Sequence, residues 1–232
     1  MKKNLIVLIA LACFINLNAQ NTKPVVKTIS PAQKMVEIKT NYGTIVAKLY
    51  NETPAHRDNF LSLVKKGFYD STLFHRVIEN FMIQGGDPDS KHADSTQMLG
   101  MGSIPDIPMI PAEFRPNLLH KKGALAAARN NNPEKASSNC QFYFVKGRPS
   151  NDIEINQYEC AARNSDPGFS YTDTQRKIYK TVGGAPFLDQ NYTVFGEVIK
   201  GLDVIDKITA VAKDGNDRPL KDVIVIKMRI LN

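Results

Sequence analysis

The chain contains no tryptophan and only three cysteines among its 232 residues. Cys140 and Cys160 lack a CxxC spacing, which removes the zinc and redox signatures that cysteine pairs usually carry. No low-complexity run and no internal repeat is visible, so solenoids and repeat arrays are excluded. Blocks of like charge are also missing. The formal net charge of +7 is spread among interspersed acids and bases, which describes a solvated surface and not a nucleic-acid interface. His56, His75, His92 and His120 show no metal-ligand spacing, so no metal is expected.

What is present suits one globular domain: 42% of residues are hydrophobic, enough for a real core. Residues 1–19 stand apart, with Lys2 and Lys3 ahead of an apolar run from Leu5 to Leu17 and Asn18-Ala19 before Gln20. This reads as a signal peptide, too short to span a bilayer. The chain is therefore expected to be exported, with the periplasm as its place of work and no stable membrane insertion after cleavage. A lipoprotein signal with lipidation at Cys13 is the lesser alternative. Cleavage removes Lys2 and Lys3 alone, leaving 28 basic against 23 acidic side chains, or +5. Export permits a Cys140–Cys160 disulfide; Cys140 also suits a buried free thiol, and the pairing stays open.

Residues 20–33 read as a polar linker with Pro24 and Pro31. Met35 to Thr40 alternates apolar and polar as a half-buried strand does, Asn41-Tyr42-Gly43 turns the chain, and Thr44 to Tyr50 forms a second strand. Thr53-Pro54 opens a helix, with Thr as N-cap, Phe60, Leu61 and Val64 as its apolar face, and Gly67 as its end. Residues 72–84 read as one strand, and 87–118 as a long surface loop. Further strands are expected at 123–128, 141–146, 192–199 and 223–230, the last with Ile224, Ile226, Met228 and Ile230 on one side. A short helix is expected over 201–208, with Leu202, Ile205 and Ile208 on one face, and another over 172–180. Many strands with two principal helices point to a closed antiparallel barrel.

The most informative stretch is Phe74-His75-Arg76 through Phe81-Met82-Ile83-Gln84-Gly85-Gly86-Asp87. A core strand rarely carries a lone Arg, because burying an unpaired charge is costly. Aromatics and Met around Arg76 suggest a shallow apolar pocket with one cation at its edge. The segment closely resembles the signature of the cyclophilin-type peptidyl-prolyl isomerases. Gly67-Phe68-Tyr69-Asp70, Gly123 to Arg129, Gln141-Phe142-Tyr143-Phe144, and Phe187-Leu188-Asp189 through Val198 resemble the family in the same order. The resemblance spans residues 34–232, with 148–186 as an insertion. It implies a mainly β fold, a closed eight-stranded antiparallel barrel with a helix capping each open end.

It further implies Arg76 as the catalytic cation and Phe81, Met82, Tyr143 and Leu188 as lining for a proline ring. Gln84 would help place Arg76 and contact the substrate backbone. Ala128 and Arg129 would lie along the peptide groove, with backbone groups free to pair with substrate. His75, Gln141, Phe187 and Tyr192 would complete the rim; His75 suits a structural role equally well. Partners would be proline-containing unfolded or partly folded polypeptides, met by a monomer. Phe187 stands where many eukaryotic members have Trp, and the missing indole N–H implies weak binding of cyclosporin-like macrocycles. Residues 88–103 lack the usual Gly-rich pattern, and the 148–186 insertion is a candidate flap near the groove. A non-catalytic proline-peptide binding module or holdase is the competing reading; it has no need of Arg76. Gly85-Gly86-Asp87 and Asp189 read as turn residues.

Overall fold

The alternation of Met35-Val36-Glu37-Ile38-Lys39-Thr40 buries Val36, Ile38 and Thr40 on one face of β1 (Met35–Thr40). β1 pairs antiparallel with β2 (Gly43–Leu49) across a turn in which Gly43 takes a positive φ of 136°. The computed structural model describes residues 32–231; the expected signal peptide and nearly all of the linker lie outside them.

After α1 (Pro54–Lys65) the chain forms β3 (Phe74–Ile78), β4 (Met82–Gly85), β5 (Ala124–Ala127) and β6 (Phe142–Val145). Helices α2 (Asp152–Ala162) and α3 (Asp173–Thr181) follow, then β7 (Val194–Lys200), α4 (Leu202–Thr209) and β8 (Val225–Leu231). The eight strands make one antiparallel sheet in the order β3-β4-β6-β5-β7-β2-β1-β8. The expected closed barrel needs correction here, because the two edge strands share no ladder. They meet at the bridge Leu73–Ile224 and through backbone bonds such as Phe74 N to Val223 O at 2.9 Å. The sheet is an open, strongly curved half-barrel with a short seam.

The curved sheet wraps a core that includes Ile38, Leu49, Val77, Ile83, Leu125 and Phe144. α1 and α4 add Phe60, Leu63, Val64, Val204, Ile205 and Ile208 to it. On α1 the buried face holds Leu63 where Leu61 was expected, since 60, 63 and 64 share one side of a 3.6-residue helix. On α4 Leu202 is exposed and Val204 takes its place. Thr53 occupies the N-cap of α1 but makes no capping bond. The Glu113 carboxylate accepts from the amides of Ala55 (3.2 Å) and His56 (3.0 Å) instead.

Two other expectations fail for local reasons. Residues 72–84 are a hairpin, β3 and β4 joined by a turn through residues 79–81, not one strand. In β8 and the two residues before it the inward side chains are Val223, Val225 and Met228, while Ile224 and Ile226 are exposed. A register shift against β1 at Lys39/Thr40 inserts one residue and inverts the alternation.

The insertion is structured. α2 and α3 each begin with a reciprocal capping box, Asn151 with Glu154 and Thr172 with Gln175. They pack Ile155, Ala162, Phe169, Tyr171 and Tyr179 with Leu119 into a core of their own. Gly184 returns the chain against the sheet so closely that a Cβ there would lie 2.3 Å from the His120 carbonyl. Among the described residues no helix is long and apolar enough to cross a membrane. Cys140 is a buried free thiol and Cys160 an exposed one.

Candidate active site

Directly paired residues of an antiparallel sheet point to the same face. Arg76 pairs with Gln84, Gln84 with Tyr143, and Tyr143 with Ala126. The next row, Val77–Ile83–Phe144–Leu125, lies in the interior core. The row with Arg76 therefore faces outward, and so does Met82, which pairs with Ile78 and Val145. The site is on the outer surface of the curved sheet.

That surface carries its own apolar cluster. Met82, Ala126, Ala128, Tyr143, Leu188 and Val194 are buried in it, with Phe81 and Tyr192 packed partly exposed against it. Phe81 stands at the hairpin turn, 5.3 Å ring to ring from Phe187, which is 45% exposed. Tyr192 meets Tyr143 edge-on at 6.1 Å, and the Arg129 guanidinium lies 4.6 Å over the Tyr192 ring. Five residues expected as walls or rim, Phe81, Met82, Tyr143, Leu188 and Tyr192, thus come together, with Phe187 at the edge.

Arg76 is half-buried, and among the described residues no carboxylate lies within ion-pair distance of it. Gln84 makes no hydrogen bond to Arg76. Its amide donates to Gln141 Oε1 at 2.9 Å, and Gln141 in turn donates to the carbonyls of Gly100 (3.0 Å) and Gly102 (2.8 Å). Gln141 is buried, so it anchors Gln84 from below and is not an open rim residue.

His75 is also no rim residue. It sits at the register shift between Phe74 and Arg76 and is 4% exposed. Among the described residues neither ring nitrogen has a hydrogen-bond partner. Burial pushes its pKa down to about 4; Asp87 pulls upward and Arg76 presses further down. Ala128 needs correction as well. Its amide donates to Gln141 O (3.0 Å) and its carbonyl accepts from Ser138 N (2.8 Å), so both backbone groups are used inside the protein. Arg129 is tied to the carbonyls of Asn191 and Asn130.

Sequence reasoning missed the wall beside Gln84. A cavity of about 540 Å³ opens between Gln84, Gln141, Arg129 and the 100–109 loop, which contributes Met101, Ile104 and Met109. No periodicity or motif in that loop marks it. Asp87 and Asp189 do more than shape turns. Asp87 is fully buried and accepts from the amides of Asp89 and Gly100; Asp189 joins four donors, described below. No group of three or more His, Cys, Asp or Glu that could hold a metal occurs among the described residues.

The comparisons with known proteins agree with this geometry. The family model described as cyclophilin type peptidyl-prolyl cis-trans isomerase/CLD matches residues 35–230. A relative from Staphylococcus haemolyticus, named provisionally as a peptidyl-prolyl cis-trans isomerase, is 34% identical over 200 residues, covering 86% of this chain and 92% of that protein. A relative from Staphylococcus aureus with the same name has the same identity and coverage. Among solved structures, a cyclophilin type peptidyl-prolyl cis-trans isomerase of Cryptosporidium parvum superposes with a TM-score of 0.63 at 23% identity. It covers 87% of this chain and 99% of its own. A second crystal structure of that protein, in the presence of the dipeptide Ala-Pro, gives a TM-score of 0.59 at 23% identity, over 85% and 99%. At that identity the likeness concerns the fold.

Proposed function

This chain belongs to the cyclophilin-type peptidyl-prolyl cis-trans isomerase family, and we propose that it turns X–Pro bonds on the outer face of the sheet, with Arg76 as the catalytic cation. The observation that carries this reading is the row Arg76–Gln84–Tyr143. It sets a guanidinium with no ion-pair partner among the described residues on the same face as Met82, Leu188 and Phe81.

The chemistry asks for little. An X–Pro bond turns slowly because resonance makes its C–N bond partly double, with a barrier of roughly 18–20 kcal/mol. At 90° of rotation that resonance is lost and the nitrogen gains a localised lone pair. A donor aimed at the lone pair favours the twisted state over both planar ones. Arg76 is always charged and rich in donors, and with no carboxylate of the described residues paired to it the guanidinium is available. Phe81, Met82, Tyr143 and Leu188 would hold the proline ring by apolar contact while the preceding carbonyl swings. Gln84, steadied by Gln141, presents a fixed polar group beside the substrate backbone. No covalent intermediate is involved.

The substrates in this reading are proline-containing segments of envelope or secreted proteins as they fold, met by a monomer after export. A purified mature protein beginning at Gln20 would support export; a lipid on Cys13 would replace soluble release by anchoring. Phe187 offers a half-exposed ring without a donor, consistent with weak macrocycle affinity.

The test compares wild type with Arg76→Ala on an Ala-Pro peptide by NMR exchange. Loss of one preorganised donor should lower the rate by about 10²–10³-fold. Stability should change by no more than about 0.5 kcal/mol, since no partner is orphaned. A folded variant with undiminished catalysis would remove Arg76 from the mechanism. A wild type that binds the peptide without turnover would make the chain a binding module.

A further inference from the structure

Asp189 is almost fully buried, and its carboxylate gathers four donors. Oδ1 accepts from the backbone amide of His120 at 3.0 Å and from His120 Nδ1 at 2.7 Å. Oδ2 accepts from the hydroxyls of Tyr171, at 2.7 Å, and Tyr179. A carboxylate facing Nδ1 fixes the proton there, so in the neutral ring Nε2 is an acceptor. The atom it meets is the Tyr143 hydroxyl at 3.1 Å. His120, Tyr171, Tyr179 and Tyr143 are all buried.

One unbroken hydrogen-bonded chain therefore runs from the inserted helical segment to the floor of the proline pocket. Tyr179 belongs to α3 and Tyr171 to the loop just before it. Tyr143 shares its sheet row with Gln84 and Arg76. Leu188, another pocket wall, is the residue next to Asp189. Burial holds all three tyrosines well above their ordinary pKa, so they remain donors. In a site of low dielectric such a chain is stiff, and breaking one link leaves a polar group without a partner.

Taking the site above as given, we propose that Tyr171 and Tyr179 are positioning residues, which through Asp189 and His120 set the place of Tyr143 and Leu188 in the proline pocket. The insertion is then a brace behind the pocket and not a flap over it.

The test is a double-mutant cycle. Tyr179→Phe keeps the ring and removes one hydroxyl; Tyr143→Phe cuts the chain where it reaches the pocket. Tyr179→Phe alone should lower kcat/KM on an Ala-Pro peptide three- to tenfold. In the Tyr143→Phe background the same change should cost less than 1.5-fold. The unfolding temperature should fall equally in both backgrounds, which separates positioning from plain support. An equal loss of kcat/KM in both backgrounds, or no loss in either, overturns the proposal. Tyr171→Phe gives a second, independent cycle should Tyr179→Phe fold poorly. If the wild type shows no catalysis, the proposed function falls on its own. The same cycle read as peptide Kd by NMR titration then decides whether the chain reaches the pocket.

Discussion

Replacing His75 by leucine should flatten the acid side of the stability curve. The imidazole is buried beside Arg76, with neither nitrogen partnered among the described residues and its pKa at about 4 against an ordinary 6.5. The folded state thus holds the ring neutral while the unfolded chain protonates it first. Between pH 6.5 and 4 the unfolded state binds more protons, so stability falls as pH falls. The contribution is complete above pH 6.5. At about 1.4 kcal/mol per pKa unit, it declines by about 2 kcal/mol at pH 5 and about 3 kcal/mol at pH 4. Carboxylates add their own acid dependence, but wild type and His75→Leu share it, so the difference between the two isolates the histidine. With no tryptophan to report, urea unfolding followed by far-UV circular dichroism at pH 7.5, 6.5, 5.5, 5 and 4 is the suitable assay. At pH 7.5 the variant should be equal to wild type or slightly more stable, because an unsatisfied buried polar group is removed. The two curves should then diverge by about 3 kcal/mol at pH 4. Parallel curves would refute the reasoning: the native ring would then take up its proton as readily as the unfolded chain does.

Three further outcomes are expected. Glu113→Ala removes the acceptor for two α1 amides and for His56 Nδ1 at 2.7 Å, and should cost about 2–4 kcal/mol in urea unfolding, with Glu113→Gln costing less. Gln141→Ala frees Gln84 and orphans contacts to Gly100 and Gly102, so kcat/KM should fall about tenfold for a stability loss of only about 1–2 kcal/mol; an unchanged kcat/KM would show that Gln84 needs no anchor. In the native protein iodoacetamide should label exposed Cys160 and spare Cys140, whose thiol burial pushes up to about 11; mass spectrometry before and after unfolding distinguishes them.

The helices α1, α3 and α4 were legible to within a residue or two because caps, glycines and 3.6-residue spacing are local signals. So were β1 and β2, by alternation and a Gly turn. α2 was not: its buried residues Ile155, Glu159 and Ala162 make no apolar stripe, and a polar stretch reads as loop. The β8 bulge was equally hidden, since the partner's register decides which face an isoleucine takes. Family resemblance named the outward apolar residues and Arg76. It could not say that Ala128 spends its backbone groups internally or that Gln141 lies beneath Gln84.

By itself, then, the sequence determined the mainly antiparallel strand content, the helix boundaries marked by Pro and Gly, and the motif around Arg76. Short-range sterics and hydrophobic period act within a few residues, and those features need nothing more. Tertiary structure alone decided that the ladder stays open between β3 and β8 and that Arg76 and Gln84 meet across a hairpin. It also decided that Asp189 ties Tyr179 to Tyr143. Those outcomes join residues far apart in the chain, where the choice of partner depends on which polar groups are buried together when the sheet curves and the insertion docks.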